Sequence, residues 1–192
     1  MSPRGPNRKG KDSSLTEGRA VRRPSTRLAA PRSRDARGCI LLVEDSEDDA
    51  ISLKRTLRKA GVTMPVKIAQ DGAVALAYLR GDPDFSDRKR FPVPTIVILD
   101  LYLPNDDGFK ILKWLRSQPQ FSQAFLVALT APGKMDDIAR AYRCGANSFL
   151  TVPCRPEDVR NLALGFPSHW VISPEPDEPR PSAEIPPPPK KD

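Results

Sequence analysis

Short apolar runs alternate with longer segments of helical periodicity through the middle of the chain. Three runs are almost wholly apolar, as is typical of strands buried on both faces: Cys39–Glu44, Thr95–Leu99 and Phe125–Leu129. Two weaker apolar segments, Val62–Ala69 and Asn147–Val152, are also predicted to be strands. The pattern therefore predicts five strands.

Each predicted strand is followed by a segment with the spacing of an amphipathic helix. After the first strand, Ser46 is a suitable N-cap, and the acidic residues 47–49 stand where the helix dipole favours them. Apolar residues then recur every three or four positions up to Gly61, which is predicted to end this helix. Four further helices and one polar loop are predicted, the helices over Asp71–Arg80, Asp107–Ser117, Gly133–Cys144 and Arg155–Leu164 and the loop over Gly81–Pro94.

Consecutive strand–helix units of this kind predict an α/β fold, an open parallel sheet with helices on both faces. Crossovers in such sheets are right-handed, so the carboxyl ends of the strands meet at one edge, where ligands bind. The residues expected at that edge are Glu44, Asp45, Asp100, Thr130 and Val152. We therefore expect these side chains to lie close together.

Composition separates this segment from the two ends of the chain. Residues 1–38 carry 11 Lys and Arg against 3 Asp and Glu, residues 39–172 are nearly balanced, and residues 173–192 are Pro-rich and acidic. Segments so poor in large apolar residues cannot bury a core, so we predict two disordered tails around one domain at 39–172. The basic tail lacks a base-reading motif, so we expect no sequence-specific nucleic-acid binding.

The length of the apolar stretches and the number of cysteines bear on where in the cell the protein is expected. No apolar stretch is long enough to span a bilayer, so we expect no membrane association. Cys39, Cys144 and Cys154 form no C-x-x-C pair, and their odd number argues against a disulfide framework. A cytoplasmic protein is expected. His169 is the single histidine, so neither a histidine metal cluster nor a Ser–His–Asp arrangement can be built around it.

Three carboxyl groups are expected at one edge of the sheet, from Glu44, Asp45 and Asp100. Carboxylates that converge repel each other unless a cation lies among them, and Mg²⁺ prefers such oxygen ligands. Solvated acids that cap helices are the alternative. That alternative explains residues 47–49 well, but it explains Asp100 poorly, because Asp100 interrupts an apolar run. The sequence therefore predicts a magnesium site.

Several pieces of the sequence, in this order, resemble the receiver domains of two-component response regulators. They are Leu41–Asp45, Ile98–Pro104 with Asp107 and Gly108, Ala128–Ala131 and Cys144–Asn147. The resemblance covers residues 39 to about 165 and implies a doubly wound, flavodoxin-like sheet of strand order 2-1-3-4-5. The long loop before the third strand and the segment Phe166–Trp170 resemble the stand-alone receivers that partner phytochrome histidine kinases.

The resemblance also implies roles for single residues. Asp100 would accept a phosphoryl group from a phosphohistidine of the kinase. Three carboxylates and one backbone carbonyl would bind Mg²⁺, at Glu44, Asp45, Asp100 and Tyr102. Thr130 would hydrogen-bond the phosphoryl group, and Phe149 would be the aromatic residue that turns inward when that hydroxyl moves. Without the resemblance, Thr130 is an ordinary strand-end threonine and Phe149 an ordinary core residue.

One position departs from the family. Receivers place a lysine before the proline that follows the fifth strand, and this chain has Val152 there. That lysine donates a charge-assisted hydrogen bond worth roughly 1.5–3 kcal/mol, so its loss predicts phosphorylation about 10–100-fold slower. Lys134 and Arg155 lie in loops at the same edge, and one of them is a candidate substitute cation. The alternative is that both are solvated loop charges.

The expected function is that of a single-domain response regulator receiver. It would signal by protein–protein contact, through the fourth helix, fifth strand and fifth helix, with no turnover of a free substrate. A pseudo-receiver that signals without phosphorylation is one rival, which Val152 favours and the complete acidic set opposes. A magnesium phosphatase is another, although its general acid would stand where this chain has Tyr102. Residues 170–172 either pack on the domain or form an apolar patch for a homodimer.

Overall fold

The computed structural model describes residues 38–104 and 106–173, without the side chains of residues 106 and 107. The two predicted tails therefore lie outside the described residues, apart from Gly38 and Ser173. Within the described residues, no helix has the length and apolar character needed to cross a membrane.

A single parallel sheet organises the domain. Its five strands are β1 (Cys39–Val43), β2 (Val66–Ala69), β3 (Pro94–Asp100), β4 (Phe125–Thr130) and β5 (Ser148–Thr151). They are ordered β2-β1-β3-β4-β5, and every neighbouring pair is parallel. The predicted fold class and strand order are confirmed, and β2 is one edge of the sheet.

Five helices connect and flank these strands. They are α1 (Glu47–Lys59), α2 (Gly72–Arg80), α3 (Gly108–Ser117), α4 (Met135–Arg143) and α5 (Pro156–Gly165). Ser46 caps α1 as predicted, because its hydroxyl accepts a hydrogen bond from the N–H of Asp49 at 3.2 Å. The predicted polar loop contains one short 3₁₀ turn, Pro83–Phe85.

The core forms two apolar layers, one on each face of the sheet. Alternate strand residues point to opposite faces, so Leu41 and Leu99 lie in the layer that packs against α2, α3 and α4. Their neighbours Leu42 and Ile98 lie in the other layer, against α1 and α5. The sheet is thus covered on both sides, which explains why its central strands are continuously apolar.

The second strand is shorter than predicted, because it begins at Val66 and not at Val62. Val62 and Met64 are buried, but they belong to a loop that packs on the α1–α5 layer. Val62 instead forms an isolated antiparallel bridge with Ile172, near the end of the described chain. An apolar loop of this kind cannot be distinguished from a strand by hydrophobic pattern alone.

The remaining differences are small. The helix predicted from Asp107 begins at Gly108, because residues 106–107 pair with Tyr102 and Leu103 in a short antiparallel ladder. The fourth helix and fifth strand are each shorter at both ends than predicted. Trp170 packs on the domain, with 5% of its surface exposed. Of the two alternatives for this residue, packing on the domain is therefore the one that the structure supports.

Candidate functional site

The register of the sheet places Glu44 next to Asp100. Val43, the last residue of β1, pairs with Leu99 of β3. The residues that follow this pair are Glu44 and Asp100, so the two carboxyl groups leave the sheet at the same level. The pairing register of β1 with β3 therefore brings the acidic residues of the site together.

The next two strands end at the same edge. Asp100 pairs with Leu129, so Thr130 lies one residue further along β4. Thr130 pairs with Thr151, and the carbonyl of Thr130 accepts a hydrogen bond from the N–H of Val152 at 2.9 Å. The structure thus brings all the edge residues expected from the sequence to one end of the sheet.

Glu44, Asp45 and Asp100 form one group of carboxyl oxygens. Each offers an oxygen atom, and these atoms lie within 4.8 Å of one another. Glu44 is buried, Asp100 is half-buried and Asp45 is exposed, so the group opens to solvent on one side. Carboxylate oxygens at this spacing suit a hard divalent cation such as Mg²⁺ or Mn²⁺.

Electrostatics in the group favour protonation when no cation is bound. Burial, with the nearby Asp100 carboxyl as the second cause, raises the pKa of Glu44 to about 7. Burial also raises the pKa of Asp100, although a hydrogen bond from the N–H of Tyr102 at 2.9 Å opposes that shift. A divalent cation would offset the repulsion that both carboxylates experience, so the residues fit such a metal.

The loop after β3 is held tightly against Asp100. Besides its hydrogen bond to the Asp100 carboxyl, Tyr102 belongs to the short ladder that closes this loop. A Cβ atom on Gly108 would lie 2.5 Å from the carbonyl oxygen of Asp100, closer than real contacts allow. Glycine is therefore required where α3 begins, so that the helix can approach the end of β3.

A cavity of about 380 Å³ opens beside Asp100 and is lined mainly by β-strand ends and one face of α1. Its walls are formed by Glu44, Asp49, Ser52, Leu53, Thr56, Asp100, Val152, Pro153 and Cys154. Sequence reasoning assigned Asp49 only to the helix dipole and missed its place at this cavity. The available signal was its position one helical turn beyond Asp45, which puts both acids near the same end of the sheet.

Thr130 and Phe149 lie on the same face of the sheet. Thr130 is 3% exposed, and its hydroxyl donates to the carbonyl of Ala131 at a long 3.4 Å. Phe149 pairs with Ala128, is half-buried, and packs edge-on against Tyr142 of α4 with ring centres 6.4 Å apart. The two residues implied as a switch thus share the side of the sheet that carries α4.

Val152 lies on the opposite side. It is half-buried against the α1–α5 layer and contributes to the wall of the cavity that also contains Asp100. An apolar side chain therefore stands where receivers carry a cation.

The two candidate substitute cations are both exposed loop residues at this edge. Arg155 is paired with Asp158 at the start of α5, with a nitrogen–oxygen distance of 3.1 Å and the arginine side chain 76% exposed. This pairing raises the pKa of Arg155 and lowers that of Asp158. Lys134 directly precedes α4. Whether either cation serves the site stays a prediction.

One connection at the site was not predicted. The Tyr102 hydroxyl donates a hydrogen bond to the Asp137 carboxylate at 2.7 Å, and this bond raises the pKa of Tyr102. It links the loop after Asp100 to the first turn of α4. Nothing in local sequence pairs residues so far apart, so only the fold reveals the contact.

A doubly wound parallel sheet with converging carboxyl groups at the ends of its first and third strands is the arrangement of a receiver domain. The family model for the response regulator receiver domain matches residues 40–163, and the chain belongs to this family. The resemblance drawn from the sequence is therefore confirmed. Receiver domains of this family act in two-component signalling.

Individual relatives are response regulators. Response regulator Rcp1 of Synechocystis sp. is 30% identical to this chain, over 69% of this chain and 88% of Rcp1. Its Mn²⁺-bound crystal structure matches with a TM-score of 0.55 at 29% identity, over 68% of this chain and 92% of that chain.

Two further solved structures are similar. The phosphorylated cyanobacterial phytochrome response regulator RcpA matches with a TM-score of 0.58 at 28% identity, over 70% of this chain and 94% of that chain. The bacteriophytochrome response regulator AtBRR matches with a TM-score of 0.62 at 28% identity, over 72% of this chain and 98% of that chain.

Proposed function

We propose that Asp100 accepts a phosphoryl group from a histidine kinase and that the phosphorylated domain signals by protein–protein contact. The observation that carries this proposal is the convergence of Asp100 with Glu44 and Asp45 within 4.8 Å at the end of the sheet. Membership of the receiver family supports it, because acceptor chemistry at such an acidic site is what the family's motifs imply.

The proposed transfer uses residues already in place. An oxygen of the Asp100 carboxylate attacks the phosphorus of the donor, an oxygen–phosphorus bond forms, and the phosphorus–nitrogen bond to the kinase histidine breaks. The N–H of Tyr102, 2.9 Å from one carboxyl oxygen, fixes the orientation of the attacking group.

Four groups would hold the metal, the carboxylates of Glu44, Asp45 and Asp100 and the backbone carbonyl of Tyr102. A bound Mg²⁺ supplies neutralisation of the charge that develops on the transferring phosphoryl oxygens. The similar Rcp1 has a Mn²⁺-bound structure, which supports a divalent metal here without distinguishing Mg²⁺ from Mn²⁺.

The proposed output begins at Thr130. Its hydroxyl makes only a 3.4 Å hydrogen bond to its neighbour Ala131, so little holds it away from a new phosphoryl group. Movement of Thr130 would open space for Phe149, which packs against Tyr142 of α4. The surface formed by α4, β5 and α5 is the proposed contact face.

A phytochrome-type histidine kinase is the proposed partner. This rests on the similarity to the phytochrome response regulators RcpA and AtBRR. A homodimer remains a separate prediction. The burial of Trp170 reduces the apolar surface that the end of the domain would offer to it.

The test is the intact mass of the purified protein after incubation with Mg²⁺ and acetyl phosphate. We expect a gain of one phosphoryl group in the wild type and none in the Asp100→Asn variant. Asp84→Asn, which alters an exposed loop acid, is the matched control and should behave as wild type. No gain in the wild type, with metal binding shown separately, would contradict the proposal.

The apolar wall at Val152 favours a second candidate, the pseudo-receiver. In that case the acidic group binds a metal but Asp100 is never phosphorylated, and partners recognise the unmodified domain. The same mass measurement separates the two functions. Assay of a simple phosphomonoester tests the phosphatase alternative, for which Tyr102 offers no general acid of suitable pKa.

A further inference from the structure

A second cavity, of about 710 Å³, lies at the β2 edge of the sheet. It is lined by two residues of α1, by the loop and strand from Gly61 to Lys67, and by Ser173. It shares no lining residue with the cavity at Asp100. We call it the basic groove, because three of its lining residues are the cations Lys54, Arg58 and Lys67 and none of its described lining residues is acidic.

A fourth cation, Arg160, lies close to Gly61, one of the lining residues of the groove. The Nη2 atom of Arg160 is buried and has no hydrogen-bond partner among the described residues. A Cβ built on Gly61 would lie 3.4 Å from this atom and 3.1 Å from the carbonyl oxygen of Ser173. This unpartnered Nη2 atom therefore lies near the last described residue, and buried donors of this kind require an anionic or polar partner.

The last described residues, 171–173, run along the groove in a defined direction. Val171 accepts a hydrogen bond from the N–H of Thr63 at 3.0 Å, and Ser173 donates one to the carbonyl of Gly61 at 2.7 Å. Val62 and Ile172 pair as an antiparallel bridge between these bonds. Continued in this direction, the chain passes Gly61 towards the last turn of α1, where Arg58 lies.

We propose that the acidic segment Pro174–Glu178 occupies the basic groove of its own chain. It follows Ser173 directly and carries Glu175, Asp177 and Glu178 with no basic residue among them. Five residues reach about 17 Å when extended, whereas Lys54 and Arg58 are separated by about 6 Å along α1. Because Ser173 itself lines the groove, the segment starts at the groove and is long enough to bring its carboxylates to these cations.

The occupied groove would cover the open edge of β2 and part of α1 with an intrachain contact. An exposed strand edge is a site for unwanted pairing with other chains, and covering it is a common protection. The inference does not depend on phosphorylation of Asp100, since the basic groove and the acidic site are separate.

Carbodiimide cross-linking of the full chain, followed by peptide mass spectrometry, tests the contact directly. The reagent joins a lysine amine to a carboxylate only where the two touch. We expect cross-links from Lys54 and Lys67 to Glu175, Asp177 or Glu178. Lys110 and Lys113, exposed on α3, are the matched controls and should give only background linkage to the same acids.

Salt and charge reversal sharpen the test. Raising the ionic strength from low to about 0.5 M should lower the specific cross-links roughly five- to tenfold, because several exposed ion pairs are screened together. Arg58→Glu should lower the cross-links at Lys54 and Lys67, while Arg143→Glu on α4 should not. Asp100→Asn should leave them unchanged, which separates this inference from the proposed function.

Three results would overturn the inference. One is linkage of Lys54 and Lys67 to Glu184 or Asp192 as often as to residues 175–178, which would mean an untethered tail. Another is linkage mainly between chains when isotope-labelled and unlabelled protein are mixed, which would assign the groove to a second copy. The third is cross-linking that is unaffected by salt and by Arg58→Glu.

Discussion

Glu44 is an acid whose ordinary charge is disfavoured where the fold places it. Burial and the neighbouring Asp100 raise its pKa to about 7, against 4.5 for an unperturbed glutamate. The folded state therefore binds this proton more tightly than the unfolded state does. The stability that Glu44 contributes is fully present below about pH 4.5 and is lost as the pH rises through about 7.

A pH series on the metal-free protein checks this. We expect the difference in free energy of unfolding between wild type and Glu44→Gln to change with pH across this window, with the wild type losing stability relative to the variant as the pH rises. Glu47→Gln, which removes an exposed acid nearby, is the matched control. Saturating Mg²⁺ should abolish the slope for Glu44, because the metal offsets its charge. A difference in free energy of unfolding that stays constant across this pH range would contradict the assignment.

Val152 offers a prediction of the opposite kind, a gain of function. The side chain lines the cavity that contains Asp100, so a lysine at this position can reach a phosphoryl group there. We expect Val152→Lys to accelerate phosphorylation by acetyl phosphate about 10–100-fold, the equivalent of one charge-assisted hydrogen bond. Val152→Met changes the side chain without adding charge and should leave the rate near wild type. An equal gain in both variants would mean that shape and not charge limits the reaction.

For single residues, the sequence alone predicted the carboxylates of the site, but it did not predict which residues contact them. Asp100 could be predicted because burying a carboxylate within an apolar run costs free energy unless a cation or hydrogen bonds stabilise its charge. The contact of Tyr102 with Asp137 could not be predicted, because it depends on the distance between a loop and a helix 35 residues away. Asp49 was overlooked, since helix capping explained it adequately.

Among the elements, α3 is joined to the two loops that precede β4 and β5 by one side chain. The Nε atom of Arg116 donates to the carbonyl of Gly145 at 2.7 Å, and Nη1 donates to the carbonyl of Ala124 at 3.0 Å. Asn147 also accepts from this guanidinium and, through the same oxygen, from the N–H of Leu126. The Arg116 side chain is half-buried, and this burial lowers its pKa.

We expect Arg116→Lys to destabilise the domain by about 2–4 kcal/mol. A single ammonium group cannot reach all of these acceptors, and each buried acceptor left without a partner costs about 1–3 kcal/mol. Arg143→Lys, at an exposed position on α4, should change stability by less than about 0.5 kcal/mol. Urea denaturation of both variants measures the difference. Equal, small effects would show that Arg116 is not a structural link.

The hydrophobic pattern predicted the ends of some strands better than those of others. The strands β1, β3 and β4 are buried on both faces, so their apolar runs predicted them almost to the residue. The segment from Val62 to Met64 is equally apolar, but its side chains are buried by packing against the chain end and not by pairing in the sheet. That outcome depends on the pairing of Val62 with Ile172, which lies more than 100 residues away in the sequence.

For the whole molecule, Trp170 determines whether the chain end belongs to the domain. It is 5% exposed and packs edge-on against Phe125 of β4 with ring centres 6.3 Å apart. Its Nε1 atom is buried without a hydrogen-bond partner among the described residues. The ring therefore contributes apolar contact and no polar bond.

Two substitutions distinguish the apolar contacts of the Trp170 ring from any contribution of its indole nitrogen. Trp170→Ala should lower the free energy of unfolding by about 3–5 kcal/mol, because it leaves a large cavity. Trp170→Phe should cost less than about 1.5 kcal/mol, because no hydrogen bond is lost and most of the apolar volume is kept. Thermal denaturation of both variants provides the comparison. A large loss in Trp170→Phe would show that the indole nitrogen has a partner after all.

Because the core has two layers, a structural change that starts at Asp100 can affect the two faces of the sheet differently. Thr130 and Phe149 belong to the α4 side of the sheet, and Val152 to the α1–α5 side, where a lysine would otherwise bond the phosphoryl group. With valine in that place, no side chain at position 152 can bond a phosphoryl group on Asp100 from the α1–α5 side. If Asp100 is phosphorylated, we therefore expect α4 and β5 to carry more of the structural change than α5 does. A partner bound at α4 would then respond to phosphorylation, whereas the segment proposed for the basic groove beside α1 should stay bound in both states.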